Sequence, residues 1–158
     1  SKASIGYHFG NKAGLVTALV DSLAHESNRA LIEETSAVPA GDARVRVLID
    51  GQTRIAADRE SFQSFFDVLP HALRDADLRP RVAALYDGYR ETVLRCLDAS
   101  EPDKADGLRP FAMLMIAIVD GLAIQHALDP EGTDVRAATE LWERLVRPFL
   151  TAPRGDAA

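Results

Sequence analysis

Apolar residues recur at helical spacing along nearly the whole chain. The clearest stripe advances in steps of four and three residues and comprises Leu78, Val82, Leu85, Tyr89, Val93 and Cys96. This spacing places side chains on one face of an α-helix, and no part of the chain shows the sustained period-two alternation of a β-strand. The pattern therefore predicts an all-α fold, a helical bundle.

Proline, glycine and polar residues divide this pattern into separate helices. Six helices are predicted. They are residues 13–36, a helix that begins at Asp42 and includes Ala56, Ser61 to Leu69, about Asp77 to Ala99, Lys104 to Leu128, and Asp134 to Leu150. We expect Pro70 to kink or end the third of these helices, because proline has no backbone N–H and its ring clashes with the preceding turn.

The penultimate predicted helix is apolar on almost every side from Phe111 to Ile124, as is typical of a helix buried partly by another chain. At about 100° per residue, one face contains core candidates and the opposite face contains candidates for a contact with a second subunit. The core candidates are Ala112, Met115, Ile116, Val119 and Ala123. The contact candidates are Leu114, Ala117, Ile118, Gly121, Gln125 and Leu128, with Trp142 of the last helix. The pattern predicts a homodimer formed by the last two helices.

The charge distribution is uneven. The 158 residues include 18 Lys and Arg against 24 Asp and Glu, a net charge of −6. Lys2 and Lys12 give residues 1–12 a charge of +2 with no acid, so the remainder carries −8. An acidic body argues against nucleic-acid binding over the whole surface and allows it only at this basic segment.

Motifs of enzyme chemistry and of metal binding are missing from the sequence. His25, His71 and His126 lack the spacing of metal ligands, and the chain has no HExxH, GxSxG or phosphate-binding glycine loop. We therefore expect no enzymatic activity, no cofactor and no metal. A single cysteine, Cys96, fits a reducing cytoplasm, and the uninterrupted apolar run from Phe111 to Val119 is far shorter than the ~20 residues of a membrane helix. We expect a soluble, cytoplasmic protein with no membrane partner.

Several aromatic and apolar residues could line a small-molecule cavity between helices. Each taken singly also fits plain core packing, but tyrosine hydroxyls and one carboxylate among apolar side chains are the usual composition of a ligand site. The candidates are Phe62, Phe65, Phe66, Leu69, Leu85, Tyr86, Tyr89, Met113, Met115, Ile116 and Asp120. We expect a small, mostly apolar ligand.

The first twelve residues, SKASIGYHFGNK, have the pattern of a short helix joined by a tight turn to a long one. Gly10 suits the residue that ends a helix, and Asn11 can cap the next. The exposed polar side chains of this segment could reach base edges or phosphates of DNA. They are Lys2, Ser4, Tyr7, His8 and Lys12.

This stretch, followed by Leu15 and Ala18, resembles the end of the DNA-binding domain of TetR-family transcriptional regulators. The resemblance implies that residues 1–12 are the remnant of a helix-turn-helix that contains the recognition helix. Residues 13–36 would then be the connecting helix, 37–151 the ligand-binding and dimerisation domain, and 152–158 a disordered tail. The implied function is a ligand-responsive, DNA-binding regulator, a repressor that acts as a homodimer on operator DNA.

Two features depart from the family pattern. Gly6 stands where the family usually has a bulky residue, and the two helices that should precede Ser1 are absent from the sequence. We therefore expect a fragment that does not bind an operator specifically by itself. The alternative function is a helical carrier of hydrophobic small molecules without a DNA role. A third alternative, a helical enzyme such as a lyase, would need a cluster of titratable groups in the pocket. Only Asp120 and His126 are candidates for such groups.

Overall fold

A computed structural model describes residues 28–99 and 102–151 of the chain. Within these residues the chain forms six α-helices and no β-strand, which confirms the all-α prediction. The helices are α1 (28–36), α2 (Asp42–Ala57), α3 (Arg59–Arg74), α4 (Arg79–Cys96), α5 (Pro102–Leu128) and α6 (Val135–Thr151).

Local sequence explains where α2 and α3 begin. Gly41 precedes α2 with a φ of 106°, in the left-handed region that glycine occupies without strain. Asp58 alone separates α2 from α3, and its Oδ1 accepts a 3.2 Å hydrogen bond from the Ser61 backbone N–H. This N-cap satisfies a free amide of the first turn and allows the chain to start a new helix at once.

Helix α3 continues past Pro70 to Arg74, so the prediction that it ends near Leu69 was wrong. Pro70 is exposed, and its missing N–H removes only one bond of the helical ladder. Contacts of residues after the proline stabilise the last turn. Ala72 is only 2% exposed, and the Asp75 N–H donates a 2.9 Å hydrogen bond to the His71 carbonyl oxygen.

Helices α2 and α5 form the centre of the bundle. Helix α5 packs against α2, α3 and α4, and α2 also packs against α4 and α6. Buried side chains form two clusters. One lies mainly between α3, α4 and α5 and contains phenylalanine and tyrosine rings; the other lies mainly between α1, α2, α4, α5 and α6. Four buried residues of the first cluster, Phe62, Phe65, Leu85 and Val119, line the cavity described below.

Helix α5 has one buried and one exposed apolar face. The five residues expected in the core are all buried: Ala112, Met115, Ile116, Val119 and Ala123. On the other side Met113, Leu114, Ile124 and Leu128 are 55%, 57%, 42% and 82% exposed. Among the described residues α5 is the only helix long and apolar enough to cross a membrane, a criterion that a core helix of a bundle also meets.

Helix α6 also carries apolar side chains on two faces. Val135 and Val146 are buried, whereas Leu141 and Leu145 are 50% and 66% exposed. The Trp142 ring is half-buried and stacks on Phe111 of α5, with ring centroids 6.0 Å apart and planes within 7°. Trp142, a predicted subunit-contact residue, therefore also contacts the core of its own chain.

Candidate effector site

A cavity of about 90 Å³ lies among α2, α3, α4 and α5. It is called the effector cavity below, after the ligand site that the sequence predicts between these helices. Its apolar wall consists of aliphatic side chains from α2, α4 and α5: Ile55, Leu85, Val93, Ile116 and Val119. One residue of α1, Asn28, also lines it. The cavity therefore contacts five of the six described helices, including the one nearest the N-terminus.

Aromatic rings form another wall of the effector cavity. Phe62, Phe65 and Phe66 of α3 are three and four residues apart, which places them on one side of the helix. Phe62 and Phe65 line the cavity together with Tyr89 of α4. Neighbouring ring centroids lie 5.4–6.4 Å apart within the group Phe62, Phe65, Phe66, Tyr86 and Tyr89, hereafter the aromatic cluster.

Asp120 of α5 brings a carboxylate to the effector cavity. Its Oδ2 accepts a 2.7 Å hydrogen bond from the Tyr86 hydroxyl of α4. Burial raises the pKa of the Asp120 carboxyl because it disfavours the charged form, and the bond from Tyr86 offsets part of this effect. Among the described residues, no Lys, Arg or His side chain forms an ion pair with Asp120.

Both tyrosines near Asp120 are neutral at physiological pH. Burial raises the pKa of Tyr89 to about 12, and the Asp120 charge adds to this effect. Burial also raises the pKa of Tyr86, with further contributions from its hydrogen bond to Asp120 and from the carboxylate charge. Of these three side chains, only the Asp120 carboxylate can therefore bring a charge to the cavity.

Other polar side chains line the effector cavity. Thr92 of α4 is buried and donates a 2.9 Å hydrogen bond to the Gly88 carbonyl oxygen, so its hydroxyl oxygen can still accept. The Gln52 side chain is 9% exposed and forms no hydrogen bond with another described residue. Its amide is thus available as both donor and acceptor to a molecule in the cavity.

Residues 41–151 match the family described as "BetI-type transcriptional repressor, C-terminal". The chain belongs to the TetR family of transcriptional regulators. It is 30% identical over 155 residues to "HTH-type transcriptional regulator TtgR" of Pseudomonas putida, an alignment covering 90% of this chain and 72% of that protein. It is 29% identical over 154 residues to "Probable HTH-type transcriptional regulator ArpR", also of Pseudomonas putida, with the same coverage. No solved structure is significantly similar to it.

The structure brings together only part of the ligand site expected for this TetR-family regulator. The predicted residues that line the effector cavity are Phe62, Phe65, Leu85, Tyr89, Ile116 and Asp120. Phe66, Leu69 and Tyr86 pack against the first core cluster without lining the cavity, and Met115 is buried in the second cluster.

Met113 lies outside the cavity with 55% of its surface exposed. At about 100° per residue it lies about 60° further around α5 than Ile116, beyond the edge of the buried face. Because Met113 and Ile116 are both apolar, residue type alone could not show that only Ile116 lines the cavity.

The cavity residues that the sequence did not indicate lie mostly on α2 and the end of α4. Gln52 interrupts the apolar stripe of α2, and a buried amide inside such a stripe is the signal that could have identified it. Nothing comparable indicates Ile55 or Val93, because they look like ordinary core residues. Their role depends on how four helices pack together.

Other site predictions concern the termini and the surface. Lys2, Ser4, Tyr7, His8 and Lys12 lie outside the described residues, as does the tail 152–158. The described part of the chain contains no group of three or more His, Cys, Asp or Glu side chains that could hold a metal ion. The residues proposed for a subunit contact lie on exposed or half-buried parts of the regulator's surface: Leu114, Ala117, Ile118, Gly121, Gln125, Leu128 and Trp142.

Proposed function

We propose that this TetR-family regulator is a cytoplasmic, homodimeric repressor that a small, mostly apolar effector releases from operator DNA. The observation that carries this proposal is the effector cavity, whose mostly apolar walls contain a few convergent polar groups, as in typical small-molecule sites. DNA contacts are assigned to Lys2, Ser4, Tyr7, His8 and Lys12, on the resemblance of residues 1–12 to a recognition helix.

A molecule in the cavity would contact the helix that leads towards residues 1–12, the proposed DNA-binding segment. Asn28 of α1 lines the cavity, and the chain runs from α1 towards residues 1–12. An effector that prefers the arrangement of α1 incompatible with DNA shifts the regulator towards that arrangement, typically by about 1–3 kcal/mol of coupling.

The homodimer is supported by apolar surface on α5 and α6. Leu114 and Leu128 of α5 and Leu145 of α6 are each more than half exposed. A Cβ atom added to Gly121 would meet nothing within 4 Å, so no contact with the described part of the chain requires glycine there. Glycine in a helix costs about 1 kcal/mol relative to alanine, and close approach of a second α5 would account for it.

The alternative, a carrier of hydrophobic molecules without a DNA role, shares the same cavity. Membership of a family of transcriptional regulators favours the repressor. A carrier would bind its ligand but would select no DNA sequence.

The decisive experiment uses the full-length protein and an operator selected from a random duplex library. Compounds that release this operator are identified by fluorescence anisotropy and are then tested on Phe62→Leu and Tyr89→Phe. Both substitutions change the cavity wall while keeping an apolar or aromatic side chain. We expect these variants to bind operator normally and to require at least about tenfold more effector for release.

Leu73→Ala is the matched control for Phe62→Leu, because Leu73 is on the same helix and 66% exposed, outside the cavity. It should leave both operator binding and release unchanged. Normal release from Phe62→Leu and Tyr89→Phe would place the effector elsewhere. Failure to select any operator would favour the carrier.

A further inference from the structure

We propose that the effector is a cation: a mostly apolar molecule with one ammonium group, held in the effector cavity by Asp120 and the rings of Phe62, Phe65 and Tyr89. This inference rests on the proposed function and specifies the chemical class of its ligand. It is carried by the charge balance of the cavity, by its aromatic wall and by its size.

The charge balance is the first argument. Asp120 is the only ionisable carboxylate among the described residues that line the cavity, and none of those residues is a Lys, Arg or His. The carboxylate is half-buried and has one hydrogen bond, from the neutral Tyr86 hydroxyl. A buried charge without a partner is costly, and a bound cation would compensate it. An uncharged ligand would bury Asp120 further without compensation, and an anion would be repelled.

The aromatic wall is the second argument. Phe62, Phe65 and Tyr89 line the same cavity as Asp120. The face of an aromatic ring attracts a cation within about 6 Å, and this attraction strengthens when water is excluded. The rings and the carboxylate are also linked, since Tyr86 donates to Asp120 and lies 6.1 Å from both the Phe65 and the Tyr89 ring centroids.

Size limits the ligand further. The cavity is partly open and has a volume of about 90 Å³, less than the roughly 150 Å³ of a closed apolar cavity that holds one benzene molecule. The buried part of the ligand is therefore about as large as one substituted ammonium group. The Gln52 amide, which has no hydrogen-bond partner among the described residues, can accept a hydrogen bond from the rest of the ligand or donate one to it.

The test compares two probes of the same shape, phenyltrimethylammonium and tert-butylbenzene, by titration against the full-length regulator. The first carries a permanent positive charge and the second is its uncharged carbon analogue. We expect the cation to bind at least about tenfold more tightly. Asp120→Asn should abolish this preference, because it weakens the cation and removes the uncompensated charge that disfavours tert-butylbenzene, which should bind as well as before or more tightly. Asparagine keeps the size and can still accept from Tyr86.

Two further variants separate the site from general effects. Asp103→Asn removes one negative charge from the exposed start of the same helix and should leave the preference intact. Tyr89→Leu keeps Asp120 and removes a ring that lines the cavity, and we expect it to weaken the cation more than tert-butylbenzene. This variant tests the proposal independently if Asp120→Asn does not fold.

Each outcome decides between the two levels of the proposal. Tighter binding of the cation that depends on Asp120 and on Tyr89 supports a cationic effector. Equal binding of both probes, or a cation preference that survives in Asp120→Asn, overturns the cationic class and leaves the effector cavity in place. Binding of neither probe overturns the cationic class; it counts against the proposed function only if operator release is also normal in Phe62→Leu and Tyr89→Phe.

Discussion

Leu31 of α1 and Gly51 of α2 lie so close together that a Cβ atom added to Gly51 would overlap the Leu31 Cδ1 atom. Leu31 is only 3% exposed, so its side chain is confined by close-packed neighbours. Glycine at position 51 thus allows α1 to approach α2 closely. This contact fixes α1, the helix that we propose to carry the effector signal, against the centre of the bundle.

Gly51→Ala should therefore destabilise the protein. We expect a loss of about 1–3 kcal/mol in the free energy of unfolding, the usual cost of overpacking a core, measured by urea denaturation. Gly88→Ala is the matched control, because Gly88 is also inside a helix but has nothing within 4 Å of an added Cβ. It should gain up to about 1 kcal/mol from better helix propensity. Equal stability of the two variants would show that Leu31 moves aside without cost.

Gly121→Arg should disrupt the proposed homodimer. A stable interface of this kind buries about 1,600 Å² or more in total, and a long charged side chain at its centre would prevent close approach of two α5 helices. Sedimentation velocity should show a dimer for the unmodified protein and a monomer or aggregate for Gly121→Arg. Gly88→Arg, which also adds an arginine where there is open space, should remain a dimer. A dimeric Gly121→Arg would place the interface elsewhere.

Much of the fold could be predicted because helix periodicity is a local property of the sequence. The faces of α5 illustrate this: Met115 and Val119 are buried as predicted, and Leu114 is exposed as predicted. Pro70 shows the limit, because its effect depends on what holds the turn beyond it. The buried Ala72 maintains α3 past the proline, and no local rule includes that tertiary contact.

The candidate site was less predictable than the fold. Asp120 and Tyr89 could be selected because polar groups within apolar stripes are unusual. Asn28 of α1 and Ile55 of α2 could not, because cavity lining depends on the packing angles and separations of several helices. Trp142 shows the same limit: its spacing placed it on an apolar stripe of α6, but only the packed structure shows that its ring stacks on Phe111.

Trp142 and Leu145 should have separable roles on α6. The stacking of Trp142 on Phe111 predicts that Trp142→Ala lowers the free energy of unfolding by about 2–4 kcal/mol. This loss is somewhat smaller than for a fully buried aromatic side chain, because the Trp142 ring is only half-buried. Leu145 is 66% exposed, so Leu145→Ala should change the stability of the isolated subunit by less than about 0.5 kcal/mol and weaken dimerisation instead. Urea denaturation at several protein concentrations measures both effects. A large, concentration-independent loss for Leu145→Ala would contradict this assignment.

The stability of the ligand-free regulator should depend on the ionisation of Asp120. Burial raises the pKa of its carboxyl in the folded state above the ordinary value of 3.8. The folded state therefore binds the proton more strongly than the unfolded state does. The stability from this group is fully present below about pH 4 and is lost as the pH rises through the folded-state pKa.

Asp120→Asn removes this ionisation, so the advantage of the variant should grow as the pH rises from about 4 to 7. We expect urea denaturation to show the variant more stable than the unmodified protein at pH 7, with the difference shrinking towards pH 4. Asp103→Asn is the control for the loss of one negative charge from α5, and it should not reproduce the growing advantage of Asp120→Asn. Tyr86→Phe removes the hydrogen bond that lowers the pKa of Asp120, so this variant should lose stability relative to the unmodified protein as the pH rises. An advantage of Asp120→Asn that shrinks as the pH rises would contradict the prediction, because it would mean that the folded structure stabilises the charged carboxylate.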